Sequence, residues 1–208
     1  CPPMPLIGLF SKKIKSNVIK FGAQDFSSID DISGAYTGSV SANLLKQSGS
    51  EFVIIGHSEK RESGETNQDI KRKILVANKN NLKIIFCIGE KKKDKENNKS
   101  ILVLKNQILS SMPREVNFKN IIFAYEPVWS IGTGLIPDKT YLIKIFYSIK
   151  RILKKTYSLK NPNLLYGGSV NSKNIKKLSS ISGCNGYLIG AASLKSKNFI
   201  EIIENYYN

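Results

Sequence analysis

The sequence is poor in cysteine, histidine and tryptophan, and it has no long apolar run. Its 208 residues include three cysteines, one histidine and one tryptophan. Cys1, Cys87 and Cys184 are far apart and form no CxxC or Cys/His metal spacing, which excludes a disulfide-built scaffold and a zinc module. No apolar run reaches the roughly 18 residues of a membrane span, and no signal-peptide pattern opens the chain. We therefore expect a cytoplasmic protein without membrane contact.

Arginine is also scarce, although the chain is strongly basic. The net charge is +16, and 28 of the 32 basic residues are lysine. Nucleic-acid interfaces depend on arginine, because its guanidinium makes bidentate contacts with phosphates and bases. We interpret the lysine excess as solvated surface charge and expect no nucleic-acid partner. A basic polyanion-binding protein remains the alternative interpretation.

Six short apolar runs are present, and they are rich in β-branched residues. None shows clean polar alternation, which is typical of strands covered on both faces. The runs span 19–25, 51–56, 82–88, 120–126, 163–167 and 185–190.

Helical signals occupy the stretches between these runs. Three helix starts are predicted, at Ser41, at Thr66 with Asp69 as a capping box, and at Pro137-Asp138. In the third helix, a single buried face is predicted for Leu142, Ile145, Ile149 and Ile152. The lysine-rich run 91–100 is expected to be a solvated loop and the start of a helix.

The spacing of the runs indicates repeated β-α units. Their ends lie 31, 32, 38, 41 and 23 residues apart, which suits parallel strands joined by helical crossovers. Either a doubly wound sheet or a barrel could result. No GxGxxG follows the first run, and polar or glycine-rich tetrads follow several strand ends, which favours a (β/α) barrel. We expect one α/β domain over residues 1–208.

Two strand ends carry candidate acid–base groups. His57 follows Gly56 and opens a helical turn, where the helix N-terminus disfavours the imidazolium, so we expect a neutral ring that can donate a hydrogen bond. Glu126 emerges from the apolar run IIFAY and is expected to be a partly desolvated base.

The segments after these strand ends suggest how a substrate would be enclosed. PVWSIGTG (127–134) is an apolar loop bounded by proline and glycine, and we predict a lid that hides Trp129 and excludes water. The backbone N–H groups of YGGSV (166–170) and of GYLIGAASL (186–194) could hold a phosphate, with a short helix starting near Ala191 or Ser193.

Taken together, the motifs resemble the triosephosphate isomerase family over essentially the whole chain. The matching segments are GAYTG (34–38), GHSEKR (56–61), CIGE (87–90), AYEPVWSIGTG (124–134), YGGSV (166–170) and IGAASL (189–194). The resemblance implies a TIM (β/α)8-type barrel. It also implies that glyceraldehyde 3-phosphate and dihydroxyacetone phosphate are interconverted through an enediolate, in glycolysis and gluconeogenesis, without a metal or organic cofactor.

The resemblance also implies roles for individual residues. Glu126 would be the base, His57 the neutral proton shuttle and Glu59 a second active-site carboxylate. The lid would comprise Pro127, Val128, Trp129, Ser130, Ile131, Gly132 and Thr133. Backbone N–H groups that hold the phosphate would come from Gly132, Ser169, Gly190 and Ala191.

A homodimer is the implied assembly. GAYTG (34–38) looks like the loop through which the family's two subunits interdigitate, and Thr37 would reach toward the active site of the partner. Cys87 matches a buried cysteine of the family, and we interpret it as a packing residue.

The chain departs from the family pattern in several places. Its start, CPPMP, resembles the end of the family's second strand, so the first β/α unit and most of that strand, with their Asn and Lys, have no match here. We interpret the chain as a partial product and expect these residues alone to be weakly active and poorly folded. Ser130 stands where the lid usually has Ala, and Ala191 stands where the phosphate cradle usually has Gly.

Two other functions fit parts of the sequence. Another phosphate-binding barrel would share the two glycine-rich strand ends, but it would not predict GHSE together with AYEPVW. A degenerate barrel or polyanion binder would fit the unmatched Lys and the charge. Isomerase assays and salt-dependent binding to polyanions separate these alternatives.

Overall fold

The computed structural model describes residues 1–31 and 33–208, and six strands lie among them. They are β1 (Gly22–Ala23), β2 (Phe52–Ile55), β3 (Lys83–Ile88), β4 (Ile121–Tyr125), β5 (Asn163–Tyr166) and β6 (Gly186–Tyr187). The α-helices of the described residues are α1 (Ile7–Lys13), α2 (Ala42–Gln47), α3 (Ser58–Glu62), α4 (Asn67–Lys79), α5 (Lys92–Glu96), α6 (Ser100–Ser111), α7 (Lys139–Tyr157), α8 (Ile175–Ser179) and α9 (Ser196–Tyr207). Strands and helices alternate, as the run spacing predicted.

The strands form one sheet in chain order, β1-β2-β3-β4-β5-β6. The pairs β1–β2, β2–β3 and β5–β6 are parallel, and Phe52 is in register with Gly22 on one side and Lys83 on the other. All six predicted strands are confirmed. β1 and β6 are only two residues long, and each contains a glycine, which weakens a strand because it has no side chain to pack.

The chain divides into two compact units. The first comprises Cys1–Cys87 and Ile108–Ile122, and the second comprises Ile88–Gln107 and Phe123–Asn208. Strands β3 and β4 contribute residues to both units.

In the first unit, α4 follows the predicted capping box. The Thr66 hydroxyl accepts from the Asp69 N–H, and the Asp69 carboxylate accepts from the Thr66 N–H. Ile70, Ile74 and Ala77 then repeat at steps of four and three, and all are fully buried. The predicted Ser41 cap of α2 is confirmed too, because its hydroxyl accepts from the Leu44 N–H at 3.2 Å.

In the second unit, α7 begins after Asp138, whose carboxylate accepts from the Tyr141 N–H at 2.8 Å. Its buried face consists of Leu142, Ile145, Phe146, Ile149 and Leu153. Ile152, also predicted for this face, is only half-buried. At about 100° per residue, Leu153 returns to the middle of the stripe, whereas Ile152 lies at its edge.

One local prediction needs correction. The run 91–100 contains the separate short helix α5 (Lys92–Glu96) where a loop was expected, whereas the expected helix start is confirmed at Ser100, the first residue of α6. The short helix expected near Ala191 is confirmed as a 3-10 helix spanning Ala191–Leu194. Within the described residues, no helix has the length and apolar character that crossing a bilayer requires.

A buried lysine ties α4 to the loop after β1 inside the first unit. Lys73 forms ion pairs with Asp25 and Glu65, and Lys60 pairs with Asp25 at 3.0 Å. Burial alone would raise the pKa of Asp25, but its hydrogen bonds to Lys73 and Lys60 lower it. Burial alone would lower the pKa of Lys73, but its hydrogen bonds to Asp25 and Glu65 raise it.

Replacing Lys73 should therefore destabilise the protein far more than replacing another paired lysine of α4. We expect Lys73→Met to lower the free energy of unfolding by about 3–5 kcal/mol, because it leaves the buried Glu65 carboxylate without a cation and leaves Asp25 with Lys60 alone. Lys79→Met removes an exposed pair with Asp30 and should cost about 1 kcal/mol or less. Urea denaturation of both variants measures the difference, and equal losses would contradict this explanation.

Candidate active site

Glu126 is the first residue after β4 and belongs to the second unit. Its backbone N–H donates to the Ile88 carbonyl at 2.8 Å, which continues the sheet ladder one step past the strand. The residue is only 2% exposed. A carboxylate that leaves an apolar strand is thus withdrawn from water, in line with the expectation from the sequence.

Two glycines provide the space that Glu126 occupies. A Cβ added to Gly89 would lie 1.7 Å from the Glu126 carbonyl oxygen. A Cβ added to Gly167 would lie 2.8 Å from the Glu126 Cγ and 3.3 Å from its Oε1. Position 89 accommodates only glycine because the backbone of Glu126 is in the way, and position 167 controls where the carboxylate sits. The sequence analysis assigned Gly167 to a phosphate cradle and missed this packing role.

Glu90 is a second buried carboxylate that the sequence analysis did not single out. It is fully buried, and its Oε1 accepts from the Tyr125 hydroxyl at 3.0 Å, the Trp129 indole N–H at 2.9 Å and the Tyr141 hydroxyl at 3.0 Å. Burial, together with the nearby Glu90 charge, raises the pKa of Tyr125 well above its ordinary value. Its position in CIGE was a signal, but the sequence did not reveal its three donors.

Trp129 is held on two sides at the start of the lid segment, residues 127–133. Its N–H is bonded to Glu90, and the Lys95 ammonium lies 3.6 Å from the centroid of its ring. The Tyr141 ring meets it edge to face at a centroid distance of 6.3 Å. A cation over an indole face is attracted by the ring quadrupole. The indole is therefore half-covered by side chains of its own unit.

The rest of the lid segment contacts the loop after β5. Ser130 is fully buried, and the Ser169 hydroxyl donates to its carbonyl oxygen at 2.6 Å. The Gly134 N–H donates in turn to the Ser169 hydroxyl at 3.1 Å. Gly132 and Gly134 have φ of +69° and +74°, a conformation that residues with a Cβ rarely adopt. Both glycines are needed for the chain to turn here.

The four candidate phosphate ligands all lie in the second unit. Gly132 and Ser169 belong to the adjoining loops just described, and Gly190 precedes the 3-10 helix that Ala191 begins. Ala191 is not among the described non-glycine residues with positive φ, so its replacement of glycine causes no backbone strain. Its N–H can serve as a donor.

His57 lies in the first unit as the N-cap of α3. Its Nδ1 accepts a hydrogen bond from the Glu59 N–H at 3.3 Å, which requires the Nδ1 lone pair. The proton of the neutral ring is then on Nε2, which is a donor. The Glu59 carboxylate lies 3.9 Å from the same Nδ1, but its side chain is 81% exposed and an ion pair would need a proton there.

Arg61 fixes α3 to the strands beside it. Its Nε donates to the Gly56 carbonyl at 2.8 Å, and its Nη2 donates to the Cys87 carbonyl at 3.2 Å. A third bond reaches Asn67 Oδ1 at 2.8 Å. The motif GHSEKR therefore contains its own anchor, which the sequence analysis did not identify. Cys87 is fully buried, as a packing residue should be.

Thr37, the candidate dimer residue, lies in an exposed segment of the first unit. Residues 33–39 are all exposed, and the Tyr36 hydroxyl is hydrogen-bonded to the Asp31 carboxylate. In residues 1–31 and 33–208, no group of three or more His, Cys, Asp or Glu side chains could hold a metal ion.

Comparison with known proteins identifies the family. The sequence profile of triosephosphate isomerase matches residues 1–206. The chain belongs to the triosephosphate isomerase family. Triosephosphate isomerase of Borrelia garinii subsp. bavariensis is 39% identical, and the alignment covers 98% of this chain and 83% of that protein. The enzyme of Thermodesulfovibrio yellowstonii is 42% identical over 82% of this chain and 71% of that protein.

A solved structure supports the same assignment. Triosephosphate isomerase of Bartonella henselae superposes with a TM-score of 0.90 at 33% identity, and the match covers 100% of this chain and 85% of that one. The predicted fold class, a partial TIM-type barrel of the α/β class, is confirmed. The predicted reaction class, isomerase, is confirmed through the family.

Substitution of Gly167 tests whether its missing side chain sets the position of Glu126 in this member of the triosephosphate isomerase family. We expect Gly167→Ala to lower turnover by about 100-fold, because the new methyl displaces the carboxylate and a shift of about 1 Å can cost that much. Gly8→Ala is the matched control, since its Cβ meets nothing closer than 4.0 Å. Isomerase assays and melting curves measure both variants. Full turnover in a folded Gly167→Ala protein would exclude this role.

Proposed function

We propose that the chain interconverts glyceraldehyde 3-phosphate and dihydroxyacetone phosphate through an enediolate, in glycolysis and gluconeogenesis, and that residues 1–208 act as one domain. The observation that carries the proposal is the packing of Glu126. The residue is 2% exposed, its backbone carbonyl packs against Gly89, its side chain packs against Gly167, and it directly precedes the lid segment. That arrangement suits a base working in a site from which water is excluded.

Glu126 would remove the proton from the carbon beside the substrate carbonyl. The electrons of the C–H bond form the enediolate, and the same carboxyl group then returns the proton to the neighbouring carbon. Bond breaking and bond making balance, so the reaction needs no oxidant, metal or organic cofactor. Burial suits this role because it keeps water away from the reacting carbons.

His57 would act on the two oxygens of the enediolate. The bond from the Glu59 N–H to Nδ1 leaves Nε2 as the donor of a neutral ring. A neutral donor can polarise the carbonyl, give up its proton and recover it from the adjacent hydroxyl. We propose that Glu59 is the second active-site carboxylate, and that it also holds the imidazole through its backbone N–H.

The phosphate would be held by backbone N–H groups of Gly132, Ser169, Gly190 and Ala191. Such groups bind an anion at the start of a helix or in a glycine-rich turn, and they need no cationic side chain. The lid segment, residues 127–133, would shield the enediolate, which would otherwise expel its phosphate into water.

Substitution of the two acid–base residues tests the mechanism. We expect Glu126→Gln and His57→Gln each to lower turnover by about 10²- to 10⁴-fold, the usual contribution of a positioned acid or base. Glu62→Gln, an exposed change on the same helix as Glu59, should leave turnover unchanged. Deuterium incorporation into dihydroxyacetone phosphate in D2O, followed by NMR, detects even slow proton abstraction. If Glu126→Gln exchanges deuterium as fast as the parent chain, the assignment is wrong.

We also propose that the chain forms a homodimer in the cytoplasm. The exposed segment 33–39 supports the dimer, because its Thr37 and Tyr36 offer a contact surface where the family resemblance places the intersubunit loop. Three widely separated cysteines support the cytoplasmic location, because none forms a disulfide in the described residues.

A charged side chain at Thr37 should break the dimer. We expect Thr37→Arg to shift the sedimentation coefficient from the dimer to the monomer at micromolar concentration, because a bulky cation is introduced into a protein of net charge +16. Thr140→Arg makes the same change at an exposed position of α7 and should leave the assembly intact. If both variants sediment like the parent chain, Thr37 is not at the interface.

A further inference from the structure

We propose that Ser130 is a positioning residue that fastens the lid segment to the loop after β5 through its hydroxyl group. This inference rests on the proposed function, because it assumes that residues 127–133 cover the bound substrate. It concerns Ser130, a position at which the family resemblance led to the expectation of alanine.

The Ser130 hydroxyl meets three polar partners inside the second unit. Its Oγ lies 2.5 Å from the Leu135 carbonyl oxygen, 3.0 Å from the Tyr166 hydroxyl and 3.4 Å from the backbone nitrogen of Ser169. Ser130 is fully buried, so these contacts are made away from solvent. An alanine would make none of them.

The direction of each hydrogen bond follows from the proton inventory. The Leu135 carbonyl can only accept, so the single Ser130 proton points toward it. The Tyr166 hydroxyl and the Ser169 N–H must then donate to Ser130. Burial raises the pKa of Tyr166 to about 12, so its hydroxyl keeps its proton at neutral pH and remains a donor.

The buried pair Ser130–Tyr166 is tightly packed. A Cβ added to Gly168 would lie 2.2 Å from the Tyr166 hydroxyl oxygen and 2.7 Å from the Ser130 Oγ. Removing the Ser130 hydroxyl would take the acceptor away from a buried tyrosine. A buried donor that loses its acceptor costs more than the net value of one exposed hydrogen bond.

The same network includes one proposed phosphate ligand, Ser169, and bonds to residues on either side of another, Gly132. The Ser169 side chain bridges the Ser130 carbonyl and the Gly134 N–H, at 2.6 Å and 3.1 Å. The Ser130 hydroxyl therefore joins the middle of the lid segment to Leu135, just beyond its end, and to the loop that bears the Ser169 N–H. We infer that it sets the position of the Ser169 and Gly132 N–H groups relative to each other, and hence the affinity for a phosphate.

A double-mutant cycle on Ser130 and Tyr166 tests the proposal in the full chain. We expect Ser130→Ala to raise both the KM for glyceraldehyde 3-phosphate and the Ki of inorganic phosphate about three- to tenfold, which corresponds to one hydrogen bond. The kcat should change less than twofold. Tyr166→Phe should act similarly, and the double variant should be no worse than the more affected single variant.

Ser148→Ala is the matched control, because its hydroxyl bonds only within α7, to the Lys144 carbonyl at 2.8 Å. It should leave KM, Ki and kcat unchanged. Circular dichroism and melting curves establish that each variant is folded. Tyr166→Phe removes the same bond with little change of volume, so it decides the question if Ser130→Ala does not fold.

A second readout needs no catalysis. Trp129 is the only tryptophan and adjoins Ser130, so acrylamide quenching of its fluorescence reports directly on the lid. We expect faster quenching, and faster amide exchange at Gly134, in Ser130→Ala and Tyr166→Phe. A parent chain without isomerase activity would overturn the proposed function, whereas these two changes would still support the hydroxyl contact. Unchanged quenching and exchange in folded variants, or additive effects in the cycle, would overturn the role of Ser130.

Discussion

The close packing of Glu126 against Gly89 and Gly167 is the constraint on which the proposed chemistry depends. A residue that is only 2% exposed is positioned by packing against its neighbours and not by solvent. Gly89 leaves room for the backbone carbonyl of Glu126, and Gly167 leaves room for its side chain. Gly89 follows β3 and Gly167 follows β5, so the ends of two strands fix the position of the proposed base. The glycines of CIGE and YGGS therefore make room for Glu126 in addition to forming turns.

Two adjacent residues of the lid segment are held by different forces. The indole of Trp129 bonds to the Glu90 carboxylate, and Lys95 covers the ring. Glu90 is fully buried, and a hydrogen bond to a buried carboxylate is stronger than it would be in water. Further along, Ser130 and Ser169 connect the lid to the loop after β5 through neutral hydroxyl groups. One charged anchor and one neutral anchor therefore hold a segment of only seven residues.

Local chemistry was predictable wherever neighbours in sequence are also partners in space. The caps at Ser41, Thr66 and Asp138 were visible because each bonds to an amide within three residues. The six strands were visible as apolar runs between helical stretches. Periodicity did not show that Ile152 lies at the half-buried edge of its face on α7, and a charged run hid the short helix α5. Periodicity averages over a turn and cannot resolve such details.

By itself, the sequence determined the alternation of strands and helices, the family, and the residue types available for proton transfer. The tertiary structure decided which of those groups are buried and what faces them: three donors on Glu90, two glycines against Glu126, and the Tyr166 hydroxyl beside Ser130. The reason is physical. A motif specifies side chains along one strand, whereas burial and hydrogen-bond direction depend on neighbouring strands whose separation in sequence carries no signal of contact.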